Sequence, residues 1–156
     1  MDSSYDLATL RSHYEQAAAD KAAGEKFYKL MNNYQGNDAL PLAYKAASEA
    51  IRARDASMFN KLTYAQAAAR IFEQAAAADS NNSEVRFLRF SVESNIPAFL
   101  GLSPHVEEDR HYLLDALRQH PQSGLDAEAF NTVRNFLIGR GHVSAEQAQE
   151  LEQLTA

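Results

Sequence analysis

Helical periodicity, punctuated by matching start and stop signals, runs the length of this chain and constrains its fold more than any other feature. Leu7, Leu10, Tyr14 and Ala17 fall three and four residues apart, so their side chains share one face of a helix. Phe27, Tyr28, Leu30, Met31 and Tyr34 repeat the pattern. Alternating apolar and polar runs rich in β-branched residues, the mark of strands, are absent. A chain patterned in this way buries its apolar stripes by packing helix on helix.

The punctuation divides the stripes. Asp20 and Gly24 permit either a break or a continuous helix, and a hairpin broken near 18–24 is expected. NYQGND reads as a turn, with Gly36 suited to a helix C-terminus, Asp38 to an N-cap, and Pro41 in the next first turn, where a missing N–H costs little. The helix over 39–54 presents Leu42, Ala43, Ala46, Ala47, Ala50 and Ile51. The loop RDASMFNK separates it from the next helix, with 55–62 read as non-helical, and Thr63 with Gln66 reads as a capping box opening a helix that runs to Ala78. After DSNNS comes the helix containing VRFLRFSVES, whose core stripe is Val85, Leu88, Val92, Ile96 and Phe99, widened by Phe87 and Phe90. Pro97 removes one hydrogen bond and ends or kinks that helix near Asn95. Ser103, Pro104 and the acids at 107–109 signal a new start. HPQSG breaks the chain again, and a last pair follows over 126–138 and 144–154, with Ser144 and Gln147 as a capping box. The expectation is seven or eight short helices in one all-α domain spanning 1–156, mostly antiparallel neighbours.

Composition bounds what such a bundle does. The formal charge of −6, with no Lys/Arg cluster, argues against nucleic acid and anionic membrane as partners. The chain has no cysteine, which excludes disulfides, thiolate zinc sites and cysteine nucleophiles. No run approaches the roughly 20 apolar residues of a membrane span. MDSSYDLATL lacks the basic and apolar regions of a secretory leader, so the chain reads as soluble and cytoplasmic; export is the alternative if a leader has been removed.

Within AAARIFEQAAAADSNNSEVRF, Ala68, Phe72 and Ala75 follow a small–aromatic–small pattern. Small residues let paired helices approach, and the aromatic fills the gap between neighbouring hairpins. The segment resembles the second helix of a tetratricopeptide repeat (TPR) and its exit turn, with Ser80 where proline is usual. More broadly, LAYKAASEAI, NKLTYAQAAARIFEQA and EVRFLRFSVESNIPAFLGLSPHVEED resemble an uncharacterised family of small bacterial TPR-like helical proteins. The resemblance implies a right-handed stack of antiparallel helix pairs and carries no activity with it. Because some members of that family begin with export leaders, it also keeps the exported alternative open.

TPR-like folds use the inner groove formed by the first helix of each pair. That register puts Glu84, Phe87, Ser91 and Ser94 on the groove, with Tyr44, Lys45 and Ser48 from the preceding first helix. Arg86, Arg89 and Glu93 occupy another side of their helix; Arg89 and Glu93, one turn apart, are able to pair. Glu108 and Asp109 are the cross-helix partners for the arginines. This cluster reads either as an ion-pair network locking two helices or as a clamp for a partner's carboxylate.

Catalytic signals are sparse. In HVEEDRH, His105 and Asp109 stand at i, i+4, and Glu108 with His111 makes ExxH, so one face offers metal ligands. A di-metal bundle needs a second such motif and further glutamates, and none is present; His13, His120 and His142 sit near turns or on a polar face. Serines 83, 103, 123 and 144 stand at helix starts, where hydroxyls cap N–H groups. No nucleophile elbow or phosphate loop occurs. The expected function is a protein- or peptide-binding scaffold, not an enzyme, without metal or cofactor. The alternatives are a metal-binding or hydrolytic enzyme using 105–111, and a structural module that docks its terminal pair.

Overall fold

A computed structural model describes residues 3–156 and contains eight α-helices, with no strand among the described residues. They are α1 (Leu7–Ala19), α2 (Lys21–Asn32), α3 (Ala39–Asp55), α4 (Met58–Ala78), α5 (Ser83–Glu93), α6 (Val106–Arg118), α7 (Ala127–Gly139) and α8 (Ala145–Glu152). Short 3-10 turns cover Ser3–Tyr5 and Ala98–Leu100. Among the described residues no helix is long and apolar enough to cross a membrane.

Single side chains set most of the boundaries. Asp20, in an extended conformation, donates its N–H to Gln16 O to close α1, while its carboxylate accepts Ala23 N–H at 2.9 Å to open α2. Gly24 is no breaker: it lies buried inside α2, where an added Cβ would come within 3.0 Å of Ile51 Cγ2. Its role is to let α2 approach α3. Nor does Gly36 close a helix. The helix ends at Asn32, and Gly36 lies against the Tyr34 ring, where any Cβ would collide with the phenol. Asp38 stands at the N-cap of α3 but makes no side-chain cap bond; its own N–H donates to the Tyr34 hydroxyl at 3.2 Å.

The largest departure from the sequence reading is the loop expected at 55–62. Only Ala56 and Ser57 separate α3 from α4, and Thr63 and Gln66 lie inside α4 rather than capping it. Met58, Phe59 and Leu62 are exposed in the first turns of α4, so no buried stripe marks its start. The tight turn is held by Lys61, whose ammonium reaches the Arg54 carbonyl at 2.7 Å and so caps the end of α3.

Around Pro97 the expected start signal is displaced. α5 ends at Glu93, and the core stripe stops there: Val92 and Ile96 are half-buried and Phe99 is 86% exposed. Pro97 breaks the helical register, and a register carried across it misplaces Phe99. Ser103 and Pro104 precede α6 instead of opening it; the Ser103 hydroxyl donates to Glu93 O at 2.8 Å, closing α5. At the far end, Asp126 caps α7, and Ser144 with Gln147 forms a reciprocal capping box on α8.

Successive helices pair, and α1 packs also on α3, α3 on α5, α2 on α3 and α4 on α5. Two apolar cores result. One holds Leu10, Phe27, Met31, Tyr44, Phe72, Val85 and Leu88. The other holds Phe87, Phe90, Leu113, Leu117, Phe130, Val133, Leu137 and Leu151. α5 serves both, with Val85 and Leu88 facing one core and Phe87 and Phe90 the other. None of α6, α7 and α8 packs extensively against α1 to α4.

Candidate functional site

The odd-numbered helices converge on a charged seam. Arg11 stands on α1 between Leu7 and Tyr14, on their shared apolar face, with its side chain 12% exposed. Its Nε and Nη2 donate to the Glu84 carboxylate of α5 at 3.0 and 2.6 Å. Its Nη1 reaches across to α7, to Asp126 at 2.9 Å and Glu128 at 3.3 Å. Tyr44 of α3 donates its hydroxyl to Glu84 Oε2 at 2.6 Å. Four helices are thus tied through one guanidinium and one carboxylate.

The electrostatics fix the roles of the two donors, Arg11 as a cation and Tyr44 as a neutral phenol. Hydrogen bonding to the Glu84 carboxylate holds the Arg11 pKa above its ordinary value against the cost of burial, with Asp126 helping. Burial pushes the Tyr44 phenol far up, and the neighbouring Glu84 charge pushes it further, so Tyr44 is a neutral donor. The Asp126 carboxyl is held below the usual range by Ala129 N–H and by Arg11.

Tyr44, Glu84 and Phe87, three of the expected groove residues, line one crevice here together with Arg11, Tyr14, Thr132 and Val133. The crevice has a volume of about 40 Å³, room for a few waters. A groove walled by α3 and α5 was expected from the repeat register; residues of α1 and α7 flank it as well and leave a narrow crevice. The other four groove candidates do not line it. Ser48 and Ser91 are buried and bond backbone carbonyls of their own helices, Lys45 O and Leu88 O. Ser94 caps α5 and bonds Ser91 O, and the Lys45 ammonium reaches Tyr34 O at 2.9 Å, in the turn before α3.

Arg11 and Glu84 also line a larger cleft, of about 300 Å³, whose walls include Leu7, Leu40, Asn81, Ser123 and Asp126. Leu7, Leu40, Ser83 and Asp126 put the starts of α1, α3, α5 and α7 around it. Among the described residues, Asp79, Glu84 and Asp126 are its acids and Arg11 is its single basic residue.

The second expected cluster is internal to the fold. Arg89 Nε and Nη2 bond the two Asp109 oxygens at 2.7 Å each, and Arg86 Nη1 bridges Glu108 at 3.1 Å and Asp109 at 3.2 Å. The Arg86 guanidinium also lies over the Tyr112 ring, 4.3 Å from its centroid. Glu93 bonds His105 rather than Arg89, accepting its N–H at 2.8 Å with ring Nδ1 at 2.9 Å. With these donors engaged by the chain's own acids, the arginines offer no open clamp.

The 105–111 segment is dispersed. His105 turns to Glu93, Glu108 and Asp109 to the arginines, and His111 is exposed with Nε2 3.7 Å from Glu107. Among the described residues no three His, Asp or Glu side chains converge as a metal site requires. Sequence reasoning passed over Arg11, Tyr14, Asp126 and Glu128. A usable signal existed for Arg11, a charged residue placed within an apolar stripe. In comparisons with protein-family models, curated proteins and solved structures, nothing matches this chain.

Proposed function

We propose that the chain is a protein- or peptide-binding scaffold, a single TPR-like domain without catalytic activity or cofactor, which takes a partner segment along its odd-numbered helices. The observation that carries this reading is the polar seam of Arg11, Tyr44 and Glu84, which lines the crevice and, through Arg11 and Glu84, also the 300 Å³ cleft. The neighbour pattern supports the TPR-like stack, since α3 touches both flanking odd helices and each of α3 and α5 touches the even helix before it. The acidic surplus of the cleft favours a partner presenting lysine or arginine over one presenting carboxylates.

Amide chemical-shift mapping with short basic, neutral and acidic peptides tests the reading. Basic peptides are expected to move the amides of Leu7, Leu40, Asn81 and Ser123 saturably and to lose affinity with added salt. No peptide-dependent shift at these positions in any series would overturn it.

A further inference from the structure

We infer that the ion pairs from Arg11 to Asp126 and Glu128 are the gate of the odd-helix groove: when they part, α6–α8 turn on α5 away from α1, and the narrow crevice widens into a channel. The functional meaning of this gate rests on the scaffold reading above; the motion itself does not.

The distribution of packing supplies the pivot. Helices α1–α4 share one core and α6–α8 another, and α5 is the element common to both. Two other hydrogen bonds that link these bodies lie at or beside α5. Tyr112 OH donates to Asn81 O at 2.9 Å, and Ser83 Oγ to Ser123 O at 2.8 Å. These lie near the pivot. Arg11 is the tie that runs from α1 itself to α7.

The two ends of the Arg11 clasp differ in strength. Towards Glu84 both side chains are nearly buried, 12% and 10% exposed, and the contact is a two-bond fork. Towards α7 the acids are 52% and 60% exposed, so water and salt compete for them. When the clasp parts, Arg11 therefore stays on Glu84 and lets α7 go. What it uncovers is polar: the Tyr44 hydroxyl and the Glu84 carboxylate sit where a permanently closed seam is served as well by apolar side chains. A crevice of about 40 Å³ is too small for a peptide side chain, so occupancy needs this opening.

The absence of cysteine makes the motion measurable. Nitroxide labels at Glu25→Cys on α2 and Glu146→Cys on α8, both exposed positions, report the separation of the two bodies by pulsed electron spin resonance. The test variant is Asp126→Asn with Glu128→Gln. It removes both outer charges, while asparagine still accepts the capping N–H of Ala129. The expected result is a second, longer distance population in the variant, and its growth in the parent chain as salt is raised. One unchanged distance distribution in both proteins at low and high salt overturns the gate. Arg11→Ala is the second variant, and circular dichroism checks its folding because it strips Glu84 of its guanidinium. Folded Arg11→Ala with the closed distance alone also counts against the gate. An opened variant whose cleft amides still ignore basic peptides retains the gate and sinks the scaffold reading.

Discussion

Arg89 and Asp109 form a closed fork: Nε meets Oδ2 and Nη2 meets Oδ1, each at 2.7 Å, with the aspartate side chain wholly buried and the arginine 7% exposed. Arg86 reaches the same carboxylate at 3.2 Å. Such a group offsets its desolvation only while every member is present. Asp109→Ala leaves two arginines facing an empty site and is expected to cost about 3–5 kcal/mol. Replacing the pair together, Arg89→Met with Asp109→Leu, is expected to recover much of that loss. Urea denaturation decides; a loss under about 1 kcal/mol for the single change would mean the fork is not structural.

Glu49 presents the opposite case. Its Oε2 is buried and accepts no hydrogen bond, and the nearest cation, Arg52 Nη1, stands 3.9 Å away. The tyrosines explain the gap: the Arg52 guanidinium lies over the Tyr28 ring at 4.2 Å and the Tyr64 ring at 3.9 Å. Burial raises the Glu49 pKa, with Arg52, Lys45 and Arg70 opposing. A raised folded-state pKa favours the folded protein below the ordinary value of 4.5, and that advantage is lost as pH rises through the folded value. Glu49→Gln is therefore expected to be more stable than the parent at neutral pH, by roughly 1 kcal/mol. The gain should shrink on acidification. A parent chain that melts higher at neutral pH would contradict this.

These two sites mark what local pattern carries and what it does not. The boundaries at Asp20 and Ser144 were legible because the capping bonds join residues three apart. The start of α4 was not, because Met58, Phe59 and Leu62 bury nothing that a periodicity could register. Phe99 was misplaced by continuing a helical register across Pro97. At the seam, Tyr44, Glu84 and Phe87 were among the expected groove residues and line one crevice. The residues that flank it from α1 and α7 were not expected, since Arg11 meets partners 73 and 115 positions away and nothing local encodes that pairing. Glu93 illustrates the same limit: Arg89 stood one turn away, yet the long-range geometry of His105 took the carboxylate.

The two-core arrangement makes a direct contrast between phenylalanines. Phe90 is 0% exposed, with Phe136 and His142 against its ring at 6.1 and 4.8 Å. Phe90→Ala is expected to cost about 3–5 kcal/mol through lost burial and the cavity left behind. Phe59, 94% exposed on α4, should change stability by no more than about 0.5 kcal/mol when cut to alanine. Thermal melts of the two variants side by side check this, and equal losses would contradict the placement of either ring.

His142 gives the acidic limb of the stability profile a definite sign. Its ring stands 4.8 Å from Phe90 and 5.3 Å from Phe136, where burial lowers its pKa below 6.5 and the charges of Arg140 and Arg110 lower it further. With the folded value depressed, the unfolded chain takes up the proton first as pH falls. The associated stability is complete above the unfolded value of 6.5 and is lost as pH drops through the folded one. His142→Phe keeps a ring between the aromatics and removes the titration. The parent midpoint is therefore expected to fall more steeply than that of His142→Phe as the solution is taken from neutral to just above the carboxylate range. Parallel profiles for the two proteins in thermal or urea melts would mean that His142 does not titrate against folding.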